Sequence, residues 1–74
     1  DIGGALEAYR QAAGLSPEHA ETHQNMAVAL LLGGDIDGAR SGFRQAIQLL
    51  QRQGRAAEAE HLQRQAGQLV KLEA

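Results

Sequence analysis

The chain is 74 residues long, with seven Lys and Arg, nine Asp and Glu, three His, no Cys, no Trp, one Tyr and one Phe. A single domain of that size buries only about 60% of its unfolded surface, which excludes most self-contained enzyme folds and leaves the core to be finished by more chain or by a partner. A net charge of −2 and so few aromatic rings exclude a nucleic-acid binder that works by counterion release and base stacking, and the lack of Cys excludes a disulfide scaffold or thiolate metal site.

The longest apolar run, Met26 to Leu32, falls short of the ~20 residues that a membrane span requires. No membrane insertion is expected of this segment, and no basic-then-apolar signal is read in it. Asp1 stands where a full chain would carry Met, so the sequence is expected to be part of something longer. Absence of Cys fits cytosol and periplasm alike; a soluble, cytoplasmic domain is the first expectation.

In chain order, Ile2, Ala5, Leu6, Tyr9, Ala12 and Ala13 recur at helical spacing, and Gly14 is expected to stop this first helix. Ser16-Pro17 reads as the N-cap and first residue of a second helix, carried by Ala20, Met26, Ala27, Leu30 and Leu31 as far as Gly33-Gly34. Asp35 is expected to cap a third helix, in which Ile36, Ala39, Phe43, Ala46, Ile47 and Leu50 follow the 3.6 period. Gly54 is the last break. From Arg55 to Glu73 a fourth helix is predicted, with Ala59, Leu62, Ala66, Leu69 and Val70 as one stripe. No segment alternates with period two, and β-branched residues are few, so the chain is predicted all-α with about four helices.

Charge is distributed unevenly. Residues 1–37 hold six acids against Arg10, whereas residues 38–55 hold Arg40, Arg44, Arg52 and Arg55 with no acid. This pattern fits solvated helix faces, or a basic ridge that attracts an acidic partner.

An internal repeat organises these helices. Ala5, Tyr9 and Ala12 are echoed by Ala39, Phe43 and Ala46, each 34 residues later, and Leu15 by Leu49 at the same offset. Small alanines let helices approach closely, while the ring fills the gap between consecutive hairpins. A period near 34 with two helices per unit marks a stacked helical array.

On these residues the sequence resembles the tetratricopeptide repeat (TPR) family, with its W-x2-L-G-x2-Y, A-x3-F and closing-proline pattern. His23, Met26, Ala27 and Leu30 stand at the first-helix signature, Ala39-x3-Phe43 at the second, and Ala5-x3-Tyr9 with Pro17 at the end of the preceding repeat. His23 replaces the tryptophan, Ala27 the glycine, Leu30 the tyrosine and Gln51 the closing proline. The resemblance covers residues 1–51 and implies an α-solenoid of antiparallel helix pairs wound into a right-handed superhelix. It divides the chain into the second helix of a truncated repeat (1–15), a complete helix pair (16–53) and a C-terminal capping helix (54–74).

Other chemistry is weaker. His19 and His23, one helical turn apart, could hold zinc with Glu18, Glu21 or His61, but the H-E-x-x-H form is missing and His23 sits in a packing slot. Asp35/Asp37 and Glu58/Glu60 lack a desolvating pocket, Gly33-Gly34 lacks a phosphate-loop lysine, and no nucleophile motif occurs. No enzyme activity, cofactor or metal is therefore expected. In the family, the first helix of each repeat lines a concave surface that binds segments of other proteins. By that resemblance Glu21, Gln24, Asn25, Val28 and Leu32 are the candidate peptide-binding residues. Asn25 offers both donor and acceptor to a peptide backbone, although a solvated or interhelical role fits it too, and Val28 and Leu32 fit core as well as groove. Gln24 and Val28 do not match the Lys and Asn of a clamp for a chaperone's terminal carboxylate. Arg40 and Arg44 are candidate contacts for an acidic partner. Alternatives to a protein-binding scaffold are self-association, through the Ile2/Leu6/Tyr9 face or the Leu62/Ala66/Leu69 stripe, and a substrate-positioning role within a larger enzyme.

Overall fold

The computed structural model describes residues 1–71 and contains four α-helices: α1 (Ile2–Leu15), α2 (Ala20–Leu32), α3 (Ile36–Arg52) and α4 (Ala56–Leu69). Each packs on the next along the chain, and connections of three or four residues turn each helix back against its predecessor. The result is an all-α helical-repeat fold. None of the described helices is long and apolar enough to cross a membrane.

Two glycines make the sharp turns. Gly34 (φ 90°) and Gly54 (φ 74°) hold the left-handed backbone that closes α2 and α3. In each case the residue after the glycine bonds back to the helix, Asp35 N–H to the Leu30 carbonyl (2.9 Å) and Arg55 N–H to the Leu50 carbonyl (2.8 Å). These are paired C-terminal caps that satisfy otherwise orphaned carbonyls. Asp35 then starts α3 as expected, its carboxylate accepting from Gly38 N–H at 2.9 Å.

The first turn departs from expectation. Gly14 does not stop α1, which continues to Leu15 and is capped by Ser16. Ser16 and Pro17 do not start α2 either. They form a β-turn closed by His19 N–H on the Ser16 carbonyl (3.0 Å), and α2 starts at Ala20 with His19 as N-cap. Proline suits the second position of such a turn and pushes the preceding residue out of helical geometry, as Ser16 shows at φ −139°, ψ 74°. His23, buried on α2, locks the turn by donating from Nε2 to the Pro17 carbonyl at 2.8 Å.

At the other end α4 stops at Leu69, short of the predicted Glu73, which lies outside the described residues together with the last part of the 54–74 segment. Val70 is extended (φ −141°, ψ 154°) and buried, whereas Leu69 is exposed. The buried stripe is therefore Ala59, Leu62 and Ala66, completed by Val70 after the helix has unwound. Arg40 Nε fixes this end by donating to the Lys71 carbonyl.

The core centres on α3. Phe43 is 1% exposed and sits among Ala20, Ala27, Ala39, Ala46, Ile47, Leu49, Leu50 and the α4 stripe. Complete burial of such a side chain is worth about 1.5–3 kcal/mol. By contrast, α1 contributes no fully buried residue.

Candidate functional site

Helix α2 borders two clefts. One, of about 290 Å³, runs between α2 and α4. Its floor is Ala20, Leu50 and Ala57, one wall carries Glu21 and Gln24, and the other carries Glu58 and His61, with Arg55 at the end. The second cleft, of about 310 Å³, runs between α2 and α1 and is bounded by Asp1, Ile2, Ala5, Tyr9, Asn25, Val28, Ala29 and Leu32.

The five α2 residues expected to form one surface are shared between the two clefts. Glu21 and Gln24 face α4, whereas Asn25, Val28 and Leu32 face α1. The repeat explains the division. Moved on by 34 residues, Asn25, Val28 and Leu32 become Ala59, Leu62 and Ala66, which α4 buries against the rest of the core. The α1–α2 cleft is the counterpart of that seam, left open because no helix among the described residues covers α1 as α2 covers α3. Leu32 remains 72% exposed.

Arg55 closes one end of the α2–α4 cleft. Its Nη2 donates to Glu21 Oε2 at 2.8 Å and to Glu58 Oε2 at 2.5 Å, and its Nε to Glu58 Oε1 at 3.1 Å. Nη1 donates to Gln53 Oε1 at 3.0 Å, and Gln53 Nε2 in turn donates to the Glu18 carbonyl at 2.6 Å. These bonds tie the α3–α4 turn to the entry of α2. The guanidinium holds the Glu21 and Glu58 carboxyls below the usual carboxylate range, mainly by hydrogen bonding, and Glu58, followed by Glu21, raises Arg55 further above its own high value.

Sequence reasoning misses this wall. On the sequence, Glu58 is only half of a carboxylate pair, Arg55 a helix start and His61 a remote metal ligand. A signal exists, because Glu21 and Arg55 are 34 residues apart and so hold the same position in consecutive units, where opposite charges can stack.

The remaining candidates are placed as follows. Arg40 is bound within the chain, to Lys71 and, at 2.9 Å, to Asp37 Oδ1, whereas Arg44 is exposed. His19 Nδ1 and Thr22 Oγ1 share a 2.7 Å hydrogen bond, and with His23 turned to Pro17 the two histidines do not converge. No cluster of three metal-ligating side chains occurs among the described residues. Glu60 pairs with Arg64 on α4.

A family model described as "Tetratricopeptide repeat" matches residues 1–57. The chain is 40% identical over 73 residues to tetratricopeptide repeat protein 36 of Homo sapiens, covering 99% of this chain and 38% of that protein. It is 39% identical over 64 residues to the protein of that name from Bos taurus (86% of this chain, 34% of that protein), and 38% identical over 63 residues to that from Mus musculus (85% and 34%). The chain therefore spans little more than a third of these relatives. No solved structure matches.

Proposed function

Because the chain belongs to the tetratricopeptide repeat family, we propose that it is a protein-interaction module that takes a peptide or protein segment in the α2–α4 cleft. One observation carries this reading. Between α2 and α4 the cleft has an apolar floor, with buried Ala20 and Leu50 and exposed Ala57, beneath walls of Gln24, His61 and two carboxylates. Apolar area supplies affinity, and convergent polar groups fix the register of a bound backbone. The role is binding rather than catalysis. Asn25, Val28 and Leu32 belong to a separate seam in this reading, and Arg40 is committed within the chain, which leaves Arg44 to meet an acidic stretch on the outer side.

The test is affinity capture followed by NMR mapping of any partner segment on the folded chain. Amide shifts confined to residues 20–24 and 57–61, with capture lost in a folded Gln24→Ala, His61→Ala variant, would support the cleft. Shifts over Asn25, Val28 and Leu32 would move the site to the α1–α2 seam.

A second reading, self-association, is favoured by that seam. Ile2 is 42% exposed, and Ala5 and Tyr9 are only half-buried, although their repeat counterparts Ala39 and Phe43 are fully buried. A solution mass that rises with concentration and reverts in Leu32→Glu would favour it; a constant monomer mass would end it. The relatives are also much longer than this chain, so the module could instead position a substrate for another domain, which activity of the full-length protein with and without this segment would test.

A further inference from the structure

We propose that the α2–α4 cleft selects segments that carry a lysine or arginine side chain, an inference that rests on the reading of this cleft as the binding surface. Glu21 on one wall and Glu58 on the other converge on one guanidinium, at 2.8 Å and 2.5 Å from Arg55 Nη2. Two negative charges against one positive leave the mouth of the cleft negative. Helix α2 adds nothing to offset this, since Glu21 is its sole Asp, Glu, Lys or Arg, and on α4 Glu60 and Arg64 neutralise each other.

Arg55 itself is largely engaged, through four of its five N–H groups. All three of its nitrogens donate within the chain, to Glu21, Glu58 and Gln53. An incoming carboxylate could reach only the remaining Nη1 proton without breaking an ion pair, and there it would be repelled by Glu21 and Glu58. An incoming cation breaks nothing. A carboxylate has about four lone-pair sites, and Glu21 Oε1 lies 3.7 Å from His19 Nε2, beyond hydrogen-bond distance. The floor suits the same ligand, because exposed Ala57 can bed the methylene stem of Lys or Arg while its head stays at the acidic rim.

Charge elsewhere points the same way. Helix α3 carries Arg40, Arg44 and Arg52 against Asp37, so a basic segment is repelled there and drawn to the α2–α4 side.

The probe is a display library of random short peptides panned on the folded chain, with selected peptides synthesised and titrated against three proteins. These are wild type, Glu21→Gln with Glu58→Gln, and Gln24→Ala with His61→Ala, each checked for helicity. Expected are peptides enriched in Lys or Arg at one position, bound more weakly by wild type as NaCl rises and about tenfold more weakly by the Glu→Gln variant. The salt titration uses wild type alone, so it reads the charge preference even if a variant unfolds. Peptides that need Gln24 and His61 but show no basic enrichment, no salt dependence and equal binding to the Glu→Gln variant would overturn the basic preference and leave the cleft reading intact. Peptides indifferent to the Gln24/His61 change, or an empty selection, would overturn both.

Discussion

A Cβ placed on Gly42 would stand 2.9 Å from the Ala27 Cβ and 3.3 Å from the Ala27 Cα, so α2 and α3 cross at a point where the α3 residue has no side chain. The contact extends to backbone, with the His23 carbonyl 3.5 Å from the same point. Neither helix can yield by rotating a side chain. Gly42→Val is therefore expected to destabilise by about 1–3 kcal/mol, the usual cost of overpacking a tight contact. On α4, by contrast, a Cβ placed on Gly67 would meet nothing within 4 Å. Gly67→Ala should stabilise by about 0.5–1 kcal/mol through lower backbone entropy. Urea unfolding of both variants checks the pair, and equal shifts of one sign would show that the crossing is looser than these distances require.

Phe43 and Tyr9 occupy the same register in two units but not the same environment. Phe43→Ala should cost about 3–5 kcal/mol, enough to unfold so small a domain, because α2 and α4 enclose the ring. Tyr9→Ala should cost far less, since its ring is half-buried beside the open seam. Circular dichroism melts of the two variants distinguish them.

Leu62 is 3% exposed and Val70 5%, which makes α4 and the turn after it part of the core. Leu62→Ala should destabilise by about 2–4 kcal/mol. Hydrogen exchange should show the loss along α4 and its contacts on α3. A change within measurement error would mean that α4 is an undocked tail.

Acid should weaken the Glu21–Arg55–Glu58 group. Both carboxyls lie below their ordinary value of 4.5 in the folded chain, so the unfolded chain takes up protons first as pH falls. Their contribution is complete above about pH 4.5 and is lost as pH drops through the lower folded values. The melting temperature should decline over that window, and less steeply in Glu21→Gln, Glu58→Gln or in high salt, which screens exposed pairs. An unchanged acid slope in the double variant would show that this group does not report on folding.

Much of the architecture is legible in the residues themselves. Gly33-Gly34 and Gly54 announce their breaks because a left-handed residue is a local need, met by glycine regardless of surroundings. Asp35 is readable as a cap for the same reason. The Ser16-Pro17 pair misleads, since Ser-Pro serves a helix start and a β-turn equally well and the choice depends on His23 reaching back to the Pro17 carbonyl. Leu69 and Val70 mislead in another way. Periodicity assigns both to one stripe, but of the two only Val70, four residues after Ala66, is buried, and it lies just beyond the helix end.

The positions of the candidate residues, though not their roles, can be compared with the sequence. Glu21 and Gln24 do lie on the wall of the α2–α4 cleft, but Asn25, Val28 and Leu32, one or two turns further along the same helix, face another neighbour. The five residues share one helix face by periodicity; which cleft each lines depends on how far along α2 it lies, since α4 stands beside the first turns and α1 beside the later ones.

Four helices, three breaks and a 34-residue repeat follow from local sequence, because spacing, caps and turn residues act over a few bonds and their energies do not depend on distant chain. Which equivalent positions are buried, which arginines are engaged and where the clefts run were settled by tertiary packing instead. Those outcomes depend on what lies across each face: α2 and α4 close over Phe43 and its neighbours, while no helix among the described residues closes over Tyr9 in the same way. Identical local patterns therefore end as core in one unit and as an open edge in the other.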